Sequence, residues 1–144
     1  MTRPDPERLS LWRSLAVARE SVGMELEHAL QEERAVSLAW FEALDALVEA
    51  GGRLHATDLA AALGTPPSSL SRRLDRLEEE GYVHRDRRDL DARMVTVVIT
   101  REGRDVHRRC STTWRRVLQR RFAAHLTETD VIALQRVFAK VLGE

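Results

Sequence analysis

Residues 56–80 decide the fold, and they read ATDLAAALGTPPSSLSRRLDRLEEE. Leucines recur at helical spacing before the two prolines and again after them, which predicts two amphipathic helices. Gly64 stands just past the end of the first helix, and Pro67 stands in the first turn of the second, where its missing N–H costs nothing. Thr65 is expected to cap the second helix. Because the connection is so short, the two helices must cross directly, as in a helix-turn-helix.

The sequence pattern changes after Gly81. Residues 82–85 and 94–99 are rich in β-branched, aromatic or alternating side chains, which favours strands. The eight residues between them, 86–93, include six charged side chains. Two strands joined by a charged loop directly after a helix-turn-helix form a wing. The predicted fold class is therefore mainly α with a small β-hairpin wing, a winged helix-turn-helix.

Long amphipathic helices are expected on both sides of this module. A first helix precedes a second at residues 35–50, which ends at Gly51–Gly52. After the wing, Thr100 is expected to cap a long helix, and Thr127–Asp130 resembles a capping box that opens the last one. The apolar residues expected to face inward from the first and the last two helices are Leu9, Trp12, Ala16, Val22, Leu26, Leu30, Val106, Cys110, Trp114, Val117, Phe122, Leu126, Val131, Leu134, Val137, Phe138, Val141 and Leu142.

These terminal stripes predict a homodimer. They lie outside the winged module, and stripes of this length must be buried against something. In a two-fold dimer they bury each other and place two copies of the second helix of the pair about one DNA turn (~34 Å) apart. A monomer whose helices fold back onto its own core is the alternative.

Charge is unevenly distributed, although the chain is neutral overall with 23 basic and 23 acidic residues. Residues 53–121 hold sixteen arginines and ten acidic residues, a net +6, whereas residues 1–52 carry a net −5. All but one of the basic residues are arginine, whose planar donors suit phosphate and guanine. The basic middle of the chain is compatible with DNA contact, with genomic base composition as the other explanation of the arginine bias.

The second helix of the pair is the expected reading element for DNA. Its leucines face the core, so the serines and arginines between them face outward, near a helix N-terminus that favours phosphate. Arginine can bind guanine through two hydrogen bonds. The alternative is an ordinary solvated helix face. The predicted DNA-binding residues of this helix are Ser68, Ser69, Ser71, Arg72, Arg73 and Arg76.

The wing is expected to add contacts of its own. Arg93 near the hairpin tip suits the negative potential of the minor groove, and Asp91 can hold its side chain extended before binding. A surface ion pair of little consequence is the other interpretation of these two residues. The expected phosphate contacts of the wing are Arg85, Arg87 and Arg88.

The chain resembles the multiple-antibiotic-resistance regulator (MarR) family of winged helix-turn-helix transcription factors over nearly its whole length. Order and spacing of the matching motifs together carry the resemblance. The entry to the second helix departs from the family, because Pro66–Pro67 makes it stiffer than usual, and residues 35–50 lack a clear copy of the usual opening. The matching residues are Asp58-Leu59-Ala60, Ser71-Arg72, Leu74-Asp75-Arg76-Leu77-Glu78, Gly81-Tyr82-Val83, Arg85, Asp91-Ala92-Arg93, Ile99-Thr100 and Gly103.

The resemblance implies one MarR-type domain over residues 1–144 and a homodimer that regulates transcription. Its dimerisation helices would span about 5–31 and 100–143, and its winged helix-turn-helix about 34–99. Within that module, the recognition helix would span about 66–80 and the wing about 82–99. The implied partners are double-stranded DNA, a second copy of the chain and a small aromatic effector, and the implied action is repression at a palindromic operator. A winged-helix module that binds protein rather than specific DNA is the alternative.

Other functions find less support in the sequence. Trp12, Trp40, Phe41 and His107 could line an effector cleft, but each suits core packing, so the ligand-binding residues stay unknown. Cys110 is the only thiol, and a redox-responsive regulator acting through it is a second alternative to a plain core cysteine. The histidines are scattered, and no nucleophile, base and orienting group stand together. No metal, cofactor or enzymatic activity is expected.

Length and composition fit this view. The 144 residues suffice for one domain with its own core. One cysteine excludes an internal disulfide framework, and the sequence has neither an apolar run of membrane-spanning length nor a secretory signal. The expectation is a soluble cytoplasmic protein with no membrane partner.

Overall fold

The computed structural model describes residues 2–33, 35–87 and 94–144, which form six α-helices and one small antiparallel sheet. The predicted fold class, mainly α with a small β wing, is confirmed. The helices are α1 (Pro6–Glu32), α2 (Leu38–Glu49), α3 (Ala56–Leu63), α4 (Pro67–Glu79), α5 (Arg101–Arg121) and α6 (Glu128–Leu142), with a 3₁₀ turn at Ala123–His125. The strands are β1 (Arg53–His55), β2 (Val83–Asp86) and β3 (Thr96–Ile99).

These elements fall into two compact units. The first, here called the winged unit, is Glu27–Thr112 and contains α2, α3, α4 and the sheet. The second, here called the terminal unit, comprises the residues up to Leu26 together with Thr113–Glu144. Helices α1 and α5 each contribute residues to both units.

The winged unit has a well-buried apolar core. Leu59 of α3 and the three inward leucines of α4 are buried as predicted, Leu63 at the end of α3 is half-buried, and Phe41 of α2 is fully enclosed. Burial of one such side chain stabilises the fold by about 1.5–3 kcal/mol. The largest enclosed side chains are Phe41, Leu30, Leu44, Leu47, Leu59, Leu70, Leu74, Leu77, Val83 and Val97.

The sheet has the strand order β1-β3-β2, and both pairings are antiparallel. The sequence pattern predicts β2 and β3 but misses β1, because three residues are too few to show an alternation. The strand exists because Gly52, at φ +106°, turns the chain back so that its carbonyl accepts a hydrogen bond from the Ile99 N–H at 2.9 Å. Arg53 then lies opposite Val98.

The turn of the helix-turn-helix is as short as the sequence indicates. Gly64 ends α3 in the left-handed region at φ +59°. The prediction that Thr65 caps α4 is wrong, because its hydroxyl donates to the Leu63 carbonyl at 3.3 Å, and Pro66 is the N-cap residue. A residue before proline avoids the helical region, so Pro67 holds Pro66 extended at ψ 142° and α4 starts at Pro67.

Helix α2 is shorter than the predicted range 35–50, because two acceptors fix its start at Leu38. The Ser37 hydroxyl accepts a hydrogen bond from the Trp40 N–H at 3.3 Å. A Glu27 carboxylate oxygen accepts another from the Leu38 N–H at 2.9 Å. Together they satisfy two of the four N–H groups that a helix start leaves free.

Two other predicted caps are confirmed. The Thr100 hydroxyl accepts a hydrogen bond from the Gly103 N–H at 3.0 Å at the start of α5. Thr127 and Asp130 form a reciprocal capping box at the start of α6. Helix α5 ends at Arg121, so Phe122 lies beyond the helical stripe in which it was predicted.

The terminal unit leaves much of its predicted inward faces uncovered in the single chain, although Leu26 and Val117 are buried. Trp12 is 77% exposed, Phe138 is 42% exposed and Leu142 is 71% exposed. Inside this unit, Arg121 Nε lies 2.8 Å from a Glu25 carboxylate oxygen and thereby joins α5 to α1. None of the helices in the described ranges is both long enough and apolar enough to span a bilayer.

Candidate nucleic-acid interface

Helix α4 presents a polar, basic face opposite a buried apolar one. Leu70, Leu74 and Leu77 are buried, and this orientation follows from their spacing of three and four residues along the helix. The intervening serines and arginines therefore point away from the core. The exposed members of the predicted DNA-binding set on α4 are Ser68, Ser69, Ser71, Arg72 and Arg76.

The N-terminus of α4 is an open donor site. No side chain caps it, because the N-cap residue is Pro66. Leu70 N–H bonds the Pro66 carbonyl at 3.0 Å and is the first N–H of the helix to find a backbone partner. The preceding N–H groups, at Ser68 and Ser69, lie at the positive end of the helix dipole, where they can bind a phosphate oxygen.

Arg73 differs from the other residues predicted on this helix. It is half-buried, and its Nη1 donates a hydrogen bond to the Ala39 carbonyl at 3.1 Å. This bond joins α4 to α2. Arg73 therefore has a structural partner in addition to any contact with DNA.

Arg85 is held by carboxylates of α4 rather than presented to solvent. Its Nη2 lies 2.5 Å from Asp75 Oδ1 and 3.3 Å from Glu78 Oε1, and only 11% of its side chain is exposed. Burial by itself would lower the pKa of Arg85, but the hydrogen bonds to Asp75 and Glu78 raise it, so the guanidinium stays charged. This geometry favours a structural role for Arg85 over the predicted phosphate contact.

The wing contributes one predicted residue to the described surface. Arg87 is exposed at the end of β2 and lines a groove of about 300 Å³ together with Ser71 and Pro67 of α4. The structure thus brings a wing arginine close to the N-terminal half of α4. The predicted residues Arg88, Asp91 and Arg93 lie outside the described residues.

A larger cleft of about 540 Å³ lies in the winged unit, at the other end of α4. Trp40 of α2 and Tyr82 meet edge-on in its wall, with ring centroids 6.2 Å apart. Two arginines, Arg76 and Arg109, and two glutamates, Glu33 and Glu80, also line it, so aromatic surface and charges of both signs face the same space. The sequence pattern did not indicate Tyr82 or Arg109, because these residues are far apart along the chain and come together only in the fold.

The residues predicted to line an effector cleft do not all meet there. Of the four, only Trp40 lines the 540 Å³ cleft. Phe41 and His107 are buried and stack on each other at 5.2 Å, and His107 Nε2 lies 2.8 Å from Asp45 Oδ1. Trp12 belongs to the terminal unit. Phe41 and His107 are therefore packing residues of the winged unit.

Cys110 has the environment of a core cysteine. It is 2% exposed, and burial raises the pKa of its thiol despite the nearby charge of Arg109. A raised pKa lowers the thiolate fraction on which reactivity depends. This does not favour a redox switch at Cys110. Within the described part of the chain, no group of three or more His, Cys, Asp or Glu side chains is placed to hold a metal ion.

Comparison with known proteins agrees with this geometry. A family model described as the MarR family matches residues 36–94, which contain α2 to α4 and β2. The winged helix-turn-helix part of the chain therefore matches the MarR family. A comparison with curated protein sequences finds no match.

Solved structures extend this MarR likeness beyond the winged module. The MarR family regulator Sco3205 of Streptomyces coelicolor, solved in complex with DNA, is 26% identical with a TM-score of 0.81, covering 98% of this chain and 89% of that chain. A mutant MarR of E. coli complexed with operator DNA is 25% identical with a TM-score of 0.75, covering 96% and 99%. The organohalide-sensing regulator RdhR-CbdbA1625, in its 2,4-dichlorophenol-bound form, shares the fold at 19% identity and a TM-score of 0.74, covering 98% and 85%.

Proposed function

We propose that this chain is a MarR family transcriptional regulator, a homodimeric repressor that binds a palindromic operator through α4 and the wing. The observation that carries the proposal is the exposed serine and arginine face of α4, which is held outward by three buried leucines. A helix with this face can enter the major groove and present arginine donors to base edges. Sco3205 and the E. coli MarR mutant were solved with DNA, and their likeness to this chain supports the same partner.

The exposed apolar residues of the terminal unit support dimerisation. Leu9, Trp12 and Leu15 of α1 and Val141 and Leu142 of α6 are all about half exposed or more in the single chain. An exposed apolar surface of this kind marks an interaction site in a soluble regulator. A two-fold dimer places two recognition helices on successive major-groove faces, which makes the operator a palindrome.

Repression in the cytoplasm is the simplest consequence of such binding. A dimer that is bound to a promoter blocks the access of RNA polymerase to the duplex. Whether binding represses or activates transcription depends on where the operator lies in the promoter, and a promoter fusion to a reporter measures it.

Selection of duplexes from a random pool tests the proposal. Wild-type protein should enrich a palindrome with half-sites about ten base pairs apart. Affinity for that duplex should fall steeply between low and physiological salt, because phosphate contacts release counterions. Enrichment of no duplex at either salt would contradict the proposal and favour the alternative, a winged helix that binds protein.

Two arginine variants separate base reading from anchoring. Arg72→Ala should lower the discrimination between the selected duplex and a scrambled one by about 1–3 kcal/mol. Arg93→Ala should weaken binding to both duplexes, with a smaller change in the ratio of the two affinities, because the minor groove carries little sequence information. If both variants bind like the wild type, the assignment of these residues is wrong.

We also propose that a small aromatic effector binds in the 540 Å³ cleft and releases the operator. Trp40 and Tyr82 offer aromatic surface there, and Arg76 and Arg109 offer donors for a phenol oxygen or a carboxylate, beside the carboxylates of Glu33 and Glu80. Arg76 belongs to α4, so a ligand in the cleft contacts the DNA-reading helix directly. RdhR-CbdbA1625 was solved with 2,4-dichlorophenol, which supports a phenol or an aromatic acid as the class of ligand.

A thermal-shift screen with phenols and aromatic carboxylates tests this cleft. A ligand should raise the melting temperature of the wild type but not of Trp40→Ala, and it should lower affinity for the selected duplex. A flat response across the set, or an equal shift in Trp40→Ala, would contradict the proposed site.

A further inference from the structure

Three charged side chains join the recognition helix to the first strand of the wing. Asp75 and Glu78 stand one turn apart on α4, and Arg85 stands on β2. Arg85 Nη2 reaches both carboxylates, at 2.5 Å and 3.3 Å. The other oxygen of Glu78 accepts a hydrogen bond from the Arg85 backbone N–H at 2.7 Å. Glu78 thus holds both the side chain and the main chain of the same strand residue. We call these three residues the α4–β2 clamp.

The three side chains of the clamp differ in their exposure to solvent. Only 11% of the Arg85 side chain is exposed, against 30% for Glu78 and 55% for Asp75. A buried cation that loses its carboxylates is left without compensation, so Arg85 depends on both partners. Asp75 lies largely in solvent, and a neutral amide there leaves the core intact.

The position of the clamp matters because both elements that it joins are expected to contact DNA. Helix α4 carries the exposed serines and arginines, and β2 leads into Arg87 and the wing loop. Between α4 and β2 lie only the three residues 80–82, and the Tyr82 N–H bonds the Leu77 carbonyl at 2.9 Å. That turn fixes the start of β2, whereas the clamp acts farther along the strand, where Arg85 lies opposite Val97 of β3.

We infer that Arg85 is a positioning residue, which with Asp75 and Glu78 fixes β2 to α4 so that wing and recognition helix meet the duplex in one geometry. The inference rests on the proposed DNA-binding function. It assigns a role to two acidic residues that a simple charge argument would count as unfavourable for DNA binding.

The competing role, a direct phosphate contact by Arg85, predicts the opposite response to removal of the acids. The double variant Asp75→Asn/Glu78→Gln removes two negative charges from the DNA-facing module and frees the guanidinium. If Arg85 binds phosphate, this variant should bind DNA more tightly and with a steeper salt dependence. If the clamp positions the wing, the variant should bind about tenfold more weakly, despite its more favourable charge.

The experiment measures affinity for the duplex that the wild-type protein selects from a random pool, by fluorescence anisotropy at several salt concentrations. Glu79→Gln is the matched control for the single variant Asp75→Asn, because Glu79 is exposed on the same helix and each change removes one negative charge. The control should bind as tightly as the wild type or slightly more tightly. Asp75→Asn alone is the variant least disturbing to the fold, and it should fall between the control and the double variant. All variants are compared at a temperature at which circular dichroism shows each to be folded.

A double-mutant cycle distinguishes positioning from general stability. Arg87→Ala removes an exposed wing arginine and should weaken binding in the wild-type background. In the Asp75→Asn background, which keeps the Glu78 charge that Arg87 also acts on, the wing is misplaced, so the loss from Arg87→Ala should shrink. A purely structural role of the clamp leaves the Arg87→Ala loss unchanged. Arg85→Lys, which can still hold one carboxylate, should recover part of the affinity that Arg85→Gln loses.

The outcomes separate the inference from the function on which it rests. Binding by the double variant that equals or exceeds that of Glu79→Gln overturns the inference alone, and so does an unchanged Arg87→Ala loss. A wild-type protein that selects no duplex at either salt overturns the proposed function, and the inference falls with it.

Discussion

The winged unit and the terminal unit treat their apolar residues in opposite ways. In the winged unit, Phe41, Leu44 and Leu77 are fully enclosed within one chain. In the terminal unit, α6 contains no buried residue, and Trp12 of α1 is 77% exposed. Both units contain amphipathic helices with well-formed ends. They differ in what covers the apolar face.

The core of the winged unit is thus enclosed within one chain, whereas the exposed apolar residues of the terminal unit would be covered in the proposed dimer. Apolar area left in water gives up about 25 cal/mol per Å² of stabilisation, so an uncovered stripe is a strong drive to associate. Stability of the winged unit should therefore come from its own core. Stability of the terminal unit should depend on protein concentration.

The largest effect is expected from Phe41→Ala. This ring is fully buried and stacks on His107, so its loss should lower the free energy of unfolding by about 3–5 kcal/mol. Chemical denaturation at several protein concentrations should give the same loss each time. Phe138→Ala, in the terminal unit, is the comparison, and its loss should fade on dilution. An equal, concentration-independent loss for both would remove the contrast between the units.

The next effect is expected from Phe138→Glu, which places a charge on the exposed apolar face of α6. A charge at a buried dimer contact should cost about 2 kcal/mol or more, which raises the dimer dissociation constant about thirtyfold. Analytical ultracentrifugation measures it. Thr129→Glu adds the same charge to the first turn of the same helix, where it suits the helix dipole, and should leave the dimer intact. Unaltered association of Phe138→Glu would mean that this face is not the interface.

A smaller effect is expected from Thr127→Ala, which removes the capping box of α6. The hydroxyl accepts from the Asp130 N–H, so its loss should cost about 1 kcal/mol. Helix α6 has no buried side chain to hold its start, so hydrogen exchange of its first-turn amides should accelerate. Amides of α4, whose N-terminus has no side-chain cap, should exchange as in the wild type. Unchanged protection at the start of α6 would show that packing rather than the cap holds this helix.

The smallest effect is expected in the pH dependence of stability, through one carboxyl group in each unit. Burial acts to raise the pKa of Glu78, but hydrogen bonds from Arg85 outweigh it and hold the pKa below the usual 4.5. The Thr127 backbone N–H lowers the pKa of Asp130 below the usual 3.8. A pKa lowered by folding adds stability above the usual value, and this stability is lost as the pH falls through the lowered value.

Carboxyl NMR titration checks both shifts and tests the clamp. In the wild type, Glu78 should titrate below 4.5 and Asp130 below 3.8. In Arg85→Gln, the Glu78 midpoint should rise, because its main cationic partner is gone, while the Asp130 midpoint should stay. An equal Glu78 midpoint in Arg85→Gln and in the wild type would show that the Arg85–Glu78 ion pair does not form in solution.

Much of the fold could be predicted because local patterns dictate it. Leucine spacing gave α3 and α4, and Gly64 gave the turn between them. Thr65 was assigned the wrong role, because the effect of Pro67 on the residue before it outweighed the capping preference of threonine. Strand β1 escaped prediction, because its three residues become a strand only through pairing with β3.

The candidate site also has one part that the sequence predicts and another that it does not. The exposed serines and arginines of α4 follow directly from periodicity, since a buried leucine face fixes what points outward. The partners of Arg85 do not follow from it, because Asp75 and Glu78 lie ten and seven positions earlier in the chain. A basic residue in a basic region looks like a phosphate contact until its neighbours in space are known.

The sequence by itself determined α3 and α4, the turn between them, the outward face of α4 and the caps at Thr100 and Thr127, because each depends on residues within one or two turns. Tertiary structure alone decided that Arg85 is clamped, that Tyr82 and Arg109 share a cleft with Trp40, and that much of the terminal stripes is left uncovered in one chain. These features depend on which distant residues meet. Periodicity records the face that a side chain occupies, but only packing determines the partner that it finds there.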